Sequence, residues 1–300
     1  MKNFIKKLLP LWIIQLRRNI INYLTQKRQN KKQNKIRNYF LSLDKKLYSA
    51  DIAEVITFFT QNSLFSQIPY EFIKKYNLSD IIIYTDKTCE MRYVIHQDKK
   101  LYFPKNLTQE TIANYYNSLL IEQDKDSPHR YETSDYTVED GDVIADIGTA
   151  EGLWALENIE KAKTAYLFEC EESWIPAIQK TFEPWKEKTI IVNKYVSGVT
   201  KSNKTTLDDF FKDKPVNFIK ADIEGAEIEM LHGAKELFKQ KSNLKILLCA
   251  YHRKDDAATL EKILKQNNFK TELSKGYITH YSFPFPYLHR GIIRGEKLHT

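Results

Sequence analysis

The sequence V-I-A-D-I-G-T-A-E-G at residues 143–152 constrains the fold more than any other stretch of the chain. The apolar run that ends at Ile147 predicts a buried strand, and the apolar residues that follow Gly152 recur with the period of a helix. Gly148 permits a tight turn between them, because glycine adopts backbone angles that a Cβ disfavours. In open α/β sheets such a unit points the helix N-terminus and backbone N–H groups at a ligand. The stretch therefore predicts a cofactor site at the end of this strand.

Carboxylates in the turn indicate the kind of cofactor. The G-x-G-x-x-G pattern of pyrophosphate sites is absent, because Asp146 and Glu151 stand where its first and third glycines would be. These carboxylates would repel a pyrophosphate but attract an ammonium or sulfonium group. Glu169 ends the next predicted strand 21 residues after Gly148, close to the spacing of about 20 for an acid that binds a ribose diol. The pattern favours a turn that binds S-adenosylmethionine over a turn that binds no ligand. The predicted cofactor-binding residues are Asp146, Gly148, Glu151, Gly152 and Glu169.

Charge is unevenly distributed along the chain. Residues 1–40 contain eleven Lys and Arg and no Asp or Glu, so the other 260 residues carry 35 basic and 39 acidic side chains. Because a nucleic-acid-binding domain needs a basic face, the main body is not predicted to bind nucleic acid. Cys89, Cys170 and Cys249 show no C-x-x-C or Cys/His spacing, which indicates a reducing compartment and no structural zinc.

Residues 1–40 are predicted to form a basic amphipathic helix. Apolar residues recur at spacings of three and four from Ile5 to Tyr23. The run is too short and too charged to cross a bilayer, and it lacks a signal-peptide cleavage site. Two interpretations stay open: residues 1–28 lie on an anionic membrane surface, or they pack on the protein or on another subunit. We therefore expect a cytoplasmic protein, with peripheral contact at the inner face of the membrane left open.

Strands and helices alternate after residue 140. Further strands are predicted at 165–168, 189–193, 216–221 and 244–250, and helices at 171–182, 226–240 and 255–267. This alternation predicts an α/β fold, a mostly parallel sheet with helices on both faces. The sequence T-L-D-D at 206–209 has the form of a capping box at a helix start. Residues 277–283 and 288–293 predict one or two late strands at an antiparallel edge.

A small mixed α/β cap is predicted before this unit. Residues 38–80 have helical character, and strands are predicted at 81–84, 91–95 and 100–103.

The polar stretch E-Q-D-K-D-S-P-H-R-Y at 122–131 is expected above the carboxyl ends of the strands, where ligands bind; a polar loop is the alternative. The predicted organisation is a basic helical segment at 1–40, the cap at 41–120 and a cofactor-binding domain at 121–300.

The segment F-I-K-A-D-I-E-G-A-E at 218–227 is the most specific motif in the chain. Together with D-I-G at 146–148 and F-E at 168–169, it resembles the FkbM-type S-adenosylmethionine-dependent methyltransferases, over roughly residues 120–295. The resemblance implies a class I Rossmann-like methyltransferase domain, commonly one that methylates hydroxyls of sugars or polyketides. The chain departs from the family pattern at T-A-E, 149–151, where A-N-x is usual, and at Cys170, where proline is usual.

Methyl transfer to a hydroxyl needs an acceptor in line with the methyl and a base within hydrogen-bond reach. Asp222 at the end of the fourth strand and His252 after the fifth are predicted at the same rim of the sheet. These two are the catalytic candidates, and His129 is the third. Asp222 could instead cap the helix that follows, and His252 could simply form a hydrogen bond with the backbone.

No metal is predicted: Asp222, Glu224 and His252 could supply ligands, but no spacing requires an ion. The expected function is O-methylation in polysaccharide biosynthesis or a related pathway, with a small molecule or glycan as acceptor. The alternatives are a membrane-associated scaffold that binds cofactor without turnover, and a nicotinamide-dependent oxidoreductase. Asp146 and Glu151 argue against the oxidoreductase. The identity of the acceptor and the oligomeric state stay open.

Overall fold

The computed structural model describes residues 49–62, 66–240, 243–280 and 287–297, together with scattered positions between 27 and 42. The predicted helix at residues 1–40 therefore lies almost entirely outside the described residues. Within the described part of the chain, no helix has the length and hydrophobicity needed to cross a bilayer.

The N-terminal region begins with helix α1 (Ala50–Gln61), which buries one apolar face. Two 3-10 turns follow at Glu71–Lys75 and Leu78–Asp80, so the predicted helical region is only partly α-helical. Three strands then pair antiparallel in chain order. They are β1 (Tyr84–Thr85), β2 (Arg92–His96) and β3 (Lys99–Phe103). Their positions agree with the predicted strands to within a few residues.

Helix α2 (Gln109–Glu122) joins this region to the main sheet. It begins at Thr108, whose side chain accepts a hydrogen bond from the Thr111 backbone N–H at 3.1 Å. The helix runs across the predicted boundary at residue 120. Leu101 and Phe103 on β3 are fully buried in the same apolar cluster as Ile144 of the main sheet. The division into 41–120 and 121–300 stays a prediction, since the two parts share a core.

The second half of the chain alternates strands and helices as predicted. Its elements are β4 (Val143–Ile147), α3 (Leu153–Asn158), β5 (Thr164–Phe168), α4 (Ile175–Thr181), β6 (Thr189–Val192), β7 (Tyr195–Val196), β8 (Lys204–Thr205), α5 (Leu207–Phe210), β9 (Phe218–Ala221), α6 (Glu227–His232), α7 (Lys235–Gln240), β10 (Lys245–Cys249), α8 (Asp256–Gln266), β11 (Phe269–Leu273), β12 (Ile278–His280), β13 (Tyr287–His289) and β14 (Ile292–Lys297).

Seven of these strands form one sheet in the spatial order β11-β14-β10-β9-β4-β5-β6. The pairs from β10 to β6 are parallel, whereas β14 runs antiparallel to both of its neighbours. The chain leaves β4 towards β5 and β6, then returns to β9 on the other side of β4. Such a reversal opens a crevice at the carboxyl ends of the strands, where ligands bind. The predicted Rossmann-like α/β fold is confirmed.

Alternate residues of the strands bury opposite faces of the sheet. Ala145 and Ile147 belong to a cluster with residues of α6, α7 and α8, whereas Ile144 belongs to a cluster with α3, α4 and the N-terminal strands. Both faces are therefore covered by helices. Truncating a buried isoleucine such as Ile144 to alanine typically costs about 2–5 kcal/mol.

Three details of the predicted fold are wrong. Strand β11 was not predicted, because its sequence F-K-T-E-L is short and has three consecutive polar residues. The last strand, β14, lies inside the sheet, and β12 and β13 form a separate two-stranded hairpin. The single helix predicted at 226–240 is broken near Gly233, where a Cβ would lie 2.6 Å from the Ser197 carbonyl oxygen. The predicted helix start is confirmed, since the Thr206 hydroxyl accepts from the Asp209 N–H at 3.0 Å, but the reciprocal bond of a capping box is not formed, because the Thr206 N–H donates to the Thr200 hydroxyl.

Candidate active site

The turn after β4 brings two loops into direct contact. Gly148 has φ +76°, and a Cβ there would lie 1.9 Å from the carbonyl oxygen of Asp222. Only glycine fits this approach. The N–H groups of Gly148 and Thr149 both donate to the Phe168 carbonyl at 3.0 Å, and the Ala150 N–H donates to the Glu169 carboxylate at 2.8 Å. These three N–H groups are therefore bound within the protein, by the last residue of β5 and by Glu169 directly after it.

A cavity of about 240 Å³ opens beside this turn, at the carboxyl ends of β4, β9 and β10. Five carboxylates and one cation, Lys220, line it. The carboxylates belong to Glu122, Asp146, Glu151, Asp222 and Glu224, and the aromatic residues of the lining are Tyr115, Tyr131, Trp154 and Tyr251. Such an excess of carboxylates attracts cations and repels phosphates.

Asp146 and Lys220 form a buried ion pair at the floor of the cavity. The Lys220 Nζ lies 2.9 Å from Asp146 Oδ1 and 3.1 Å from the Gly148 carbonyl oxygen. Burial alone would lower the pKa of Lys220, but Asp146 and Asp222 hold it above its ordinary value, so the lysine stays charged. The second oxygen of Asp146, Oδ2, has no hydrogen-bond partner among the described residues. This buried oxygen in the cavity wall is thus available to accept a hydrogen bond from a ligand.

Two further carboxylates lie on the helix side of the cavity. Glu151 accepts a hydrogen bond from the Tyr115 hydroxyl of α2 at 2.7 Å. Glu122, at the end of the same helix, exposes about a third of its side chain, 32%. Burial, with the charges of Asp222 and Glu151, raises the pKa of Glu122 to about 8. At neutral pH Glu122 is therefore mostly a neutral acid, which can donate a hydrogen bond.

Asp222 and His252 meet at the rim, as predicted. His252 Nε2 lies 3.4 Å from Asp222 Oδ1, and His252 Nδ1 lies 3.3 Å from Glu227 Oε1. Burial would lower the pKa of His252, but the two carboxylates raise it to about 10. Burial would raise the pKa of Asp222, but His252 and Lys220 hold it well below its usual range. Asp222 is thus a carboxylate and His252 a cation, which favours Asp222 over His252 as the hydrogen-bond acceptor.

His129 lies behind the cavity and does not belong to its lining. Its Nε2 is 3.1 Å from the Tyr251 hydroxyl, and its Nδ1 is 4.0 Å from Glu122 Oε2. Burial lowers the pKa of His129 to about 4, so the imidazole is neutral. His129 therefore lies outside the cavity lining and against Tyr251, although one of its ring nitrogens is within 4.8 Å of an Asp222 carboxylate oxygen.

Glu169 and Gly152 also lie outside the set of described residues that line the cavity. The Glu169 carboxylate accepts from the Ala150 N–H at 2.8 Å and from the Glu171 N–H at 2.7 Å, so it fixes the turn. A Cβ on Gly152 would lie 2.8 Å from the Phe182 ring, which explains the glycine by packing. The prediction that Glu169 binds a ribose stays a prediction.

Sequence reasoning missed several residues of the site. Tyr131 donates to Asp222 Oδ2 at 2.9 Å, and Tyr115 donates to Glu151. Tyr131 belongs to the polar stretch at 122–131, which was expected near the strand ends. Tyr115 gives no signal, because a tyrosine on an amphipathic helix is ordinarily a core residue. Glu227, the second carboxylate beside His252, is the last residue of the 218–227 motif.

The protein was compared with known families and structures. Residues 159–271 match the profile of the methyltransferase FkbM domain. No curated protein matches the chain. The matched span contains Glu169, Asp222 and His252, and it begins after Asp146, Gly148 and Glu151.

Solved structures with a similar fold include three transferases. Methyltransferase FkbM from Methylobacillus flagellatus KT is 20% identical over 63% of this chain and 53% of that chain, with a TM-score of 0.44. The protein thus spans about half the length of that structure. A putative transferase from Pyrococcus horikoshii is 11% identical over 69% of this chain and 72% of its own, with a TM-score of 0.45. A putative methyltransferase from Streptococcus mutans, solved in complex with SAH, is 17% identical over 54% of this chain and 92% of its own, with a TM-score of 0.37.

The protein thus combines the strand order and the 218–227 motif described above with a family match that covers β5 to β11. Over residues 159–271 its sequence is similar to the methyltransferase FkbM domain family.

Proposed function

We propose that this domain transfers a methyl group from S-adenosylmethionine to a hydroxyl of a sugar, a polysaccharide or a related metabolite. The observation that carries the proposal is the unpartnered, buried Oδ2 of Asp146 in the wall of a cavity with five carboxylates. S-adenosylmethionine carries an ammonium and a sulfonium, whose positive charges suit this wall. An ammonium has three N–H donors, and one of them would satisfy Asp146 Oδ2.

The residues present fit this cofactor. Asp146 and Glu151 would hold its ammonium end, and Gly148 allows the loop at Asp222 to lie against the turn. The neutral form of Glu122 would donate a hydrogen bond to the carboxylate of the cofactor. This bond would limit the repulsion between the cofactor's carboxylate and the acidic wall of the cavity. When bound, the cofactor supplies a methyl group on a positively charged sulfur.

Asp222 is the residue best placed to receive the acceptor hydroxyl. In the transfer the bond from sulfur to methyl breaks and its electrons stay on sulfur, while a bond from the acceptor oxygen to the methyl forms. The proton of the hydroxyl leaves to the Asp222 carboxylate or through it to water. Because the pKa of Asp222 is held low, its main contribution is to orient the hydroxyl by accepting its hydrogen bond. Tyr131 and Lys220 keep the carboxylate in place.

The proposed acceptor class rests on the lining of the cavity as well as on the family resemblance. Tyr131, Trp154 and Tyr251 present aromatic rings near the carboxylates, an arrangement that suits a ring with hydroxyl groups. A nicotinamide dinucleotide carries a pyrophosphate, which the charged carboxylates of the cavity other than Glu122 would repel.

Isothermal titration with S-adenosylhomocysteine and S-adenosylmethionine tests the cofactor. The wild type should bind both, and Asp146→Asn should weaken binding by about tenfold or more, since a charged hydrogen bond contributes about 1.5–3 kcal/mol. Asp140→Asn, an exposed carboxylate on the loop before β4, is the matched control and should bind as the wild type does. Binding of NADH in place of both ligands, or an unaffected Asp146→Asn variant, would overturn the proposal. A labelled-methyl screen of sugar acceptors then tests the acceptor class.

A further inference from the structure

A five-residue loop and the first residue of the helix after it surround one imidazole with acidic side chains. Residues 222–226 connect β9 to α6, and two of them, Glu224 and Gly225, have left-handed φ angles of 54° and 94°. A Cβ on Gly225 would lie 3.4 Å from His252 Cβ, so the loop packs directly on the histidine. The sharp turn brings Asp222, Glu224 and Glu227 to the same ring.

The separations in this cluster are close to those of ligands on one ion. His252 Nε2 lies 3.4 Å from Asp222 Oδ1 and 3.7 Å from Glu224 Oε2, and its Nδ1 lies 3.3 Å from Glu227 Oε1. One ligand atom each from Asp222, Glu227 and His252 lie within 4.8 Å of one another. Two ligands that bind one ion at about 2.1 Å are about 3–4.2 Å apart, so a contraction of the three atoms from within 4.8 Å to this range, around a single ring nitrogen, would enclose an ion.

Two members of the cluster are buried, Glu224 is exposed at its edge, and the cluster has an excess of negative charge. The side chains of Glu227 and His252 are only 1% and 8% exposed. His252 Nδ1 has no partner with hydrogen-bond geometry among the described residues, although Glu227 is near it. If the imidazole is protonated, His252, Asp222 and Glu227 together still carry a net negative charge. Glu224 adds a further negative charge. Buried charges in proteins are paired or bind metals.

We propose that Asp222, Glu227 and His252 form a binding site for one divalent metal ion. One imidazole and two carboxylates are a donor set for first-row ions such as Mn²⁺, Co²⁺ and Zn²⁺. Glu227 is fixed, because its Oε1 accepts the Ile223 N–H at 2.9 Å. Asp222 is 24% exposed, and while Tyr131 holds its Oδ2, its Oδ1 faces the imidazole at 3.4 Å from His252 Nε2. Because Asp222 lines the cavity, the ion would lie at its rim.

The inference does not depend on the proposed methyl transfer, and its test uses metal binding alone. The full-length protein, without an affinity tag and treated with a chelator, is titrated with CoCl₂ and followed by visible absorption and calorimetry. We expect one site, with a Co²⁺ spectrum that shows nitrogen and oxygen ligands. A second titration with MnCl₂, read by electron paramagnetic resonance, checks the stoichiometry.

Two variants decide whether these residues bind the ion. His252→Gln and Asp222→Asn should each weaken Co²⁺ binding by about tenfold or more. His232→Gln, an exposed histidine at the end of α6, is the matched control and should bind as the wild type does. Circular dichroism establishes that each variant is folded, and Asp222→Asn keeps the test valid if His252→Gln does not fold. Absence of Co²⁺ binding to the wild type, or equal binding to the His252 and His232 variants, would show that the cluster is only a protonated histidine between carboxylates.

Discussion

Lys220 and Asp146 lie on neighbouring parallel strands, and their side chains meet with 2.9 Å between Nζ and Oδ1. The pair joins β9, which leads to the proposed catalytic Asp222, to β4, which leads to the cofactor turn. Both side chains are buried, so neither charge is solvated by bulk water.

Removing the lysine should destabilise the protein strongly. Lys220→Met leaves Asp146 as a buried carboxylate without its cation, which typically costs about 3–5 kcal/mol. Urea unfolding measures the change, with Lys163→Met, on the exposed loop before β5, as the control. The double variant that combines Lys220→Met with Asp146→Asn should recover part of the free energy of unfolding that Lys220→Met alone loses. A loss below about 1 kcal/mol for the single variant would contradict a buried pair.

Gly148→Ala should be much more costly than Gly141→Ala. Both glycines have positive φ, +76° and +90°, so each substitution introduces backbone strain of about 1–3 kcal/mol. At Gly148 the new Cβ would also meet the Asp222 carbonyl at 1.9 Å, whereas nothing lies within 4 Å at Gly141. The clash should add about 1–3 kcal/mol in thermal or urea unfolding. Equal losses at the two positions would show that the loops can separate without cost.

The stability difference between wild type and Glu122→Gln should change with pH. The pKa of Glu122 is raised to about 8 from an ordinary value of 4.5, so folding favours the protonated form. This stability is present below pH 4.5 and is lost as the pH rises through about 8. The wild type should therefore lose stability relative to Glu122→Gln by up to about 1 kcal/mol per pH unit in this window, less than the full 1.4 because the side chain is partly exposed. A difference that stays constant from pH 5 to pH 8 would contradict the raised pKa; urea unfolding at each pH measures it.

Two buried tyrosines should respond differently to removal of the hydroxyl. The Tyr131 hydroxyl donates to the Asp222 carboxylate at 2.9 Å, and Tyr131→Phe should cost about 1.5 kcal/mol or more. The Tyr136 hydroxyl has no hydrogen-bond partner among the described residues, so Tyr136→Phe should change stability by less than about 0.5 kcal/mol. Chemical denaturation of both variants measures the difference. If both changes are small, the Tyr131 hydroxyl does not stabilise the Asp222 carboxylate.

The arrangement of the central sheet was predictable from the sequence, because it depends on local patterns. Apolar runs such as the one ending at Ile147 mark strands, and their alternation with helices leaves few topologies for a parallel sheet. The meeting of Asp222 and His252 followed from the same logic, since both residues follow neighbouring parallel strands. The close approach of Gly148 to another loop was not predictable, although the need for glycine in a tight turn was.

Side-chain orientations and long-range partners were not predictable. Glu169 stands at the spacing of a ribose-binding acid, yet its carboxylate accepts hydrogen bonds from the backbone of Ala150 and Glu171. Whether these N–H groups lie within reach of Glu169 depends on the path of two loops. Tyr115 reaches Glu151 only because α2 packs over the cavity, which no local pattern encodes. The charge of His252 likewise depends on Glu227, which approaches it only through the turn at residues 224–225.

The antiparallel strand β14 has a consequence for how the protein is made. It lies between β10 and β11, so during synthesis these two strands exist before the strand that joins them. Until residues 292–297 leave the ribosome, β10 has an open edge and β11 has no partner in the sheet. Unpaired edges of this kind recruit other chains, and the nascent protein is therefore prone to aggregation until β14 is inserted.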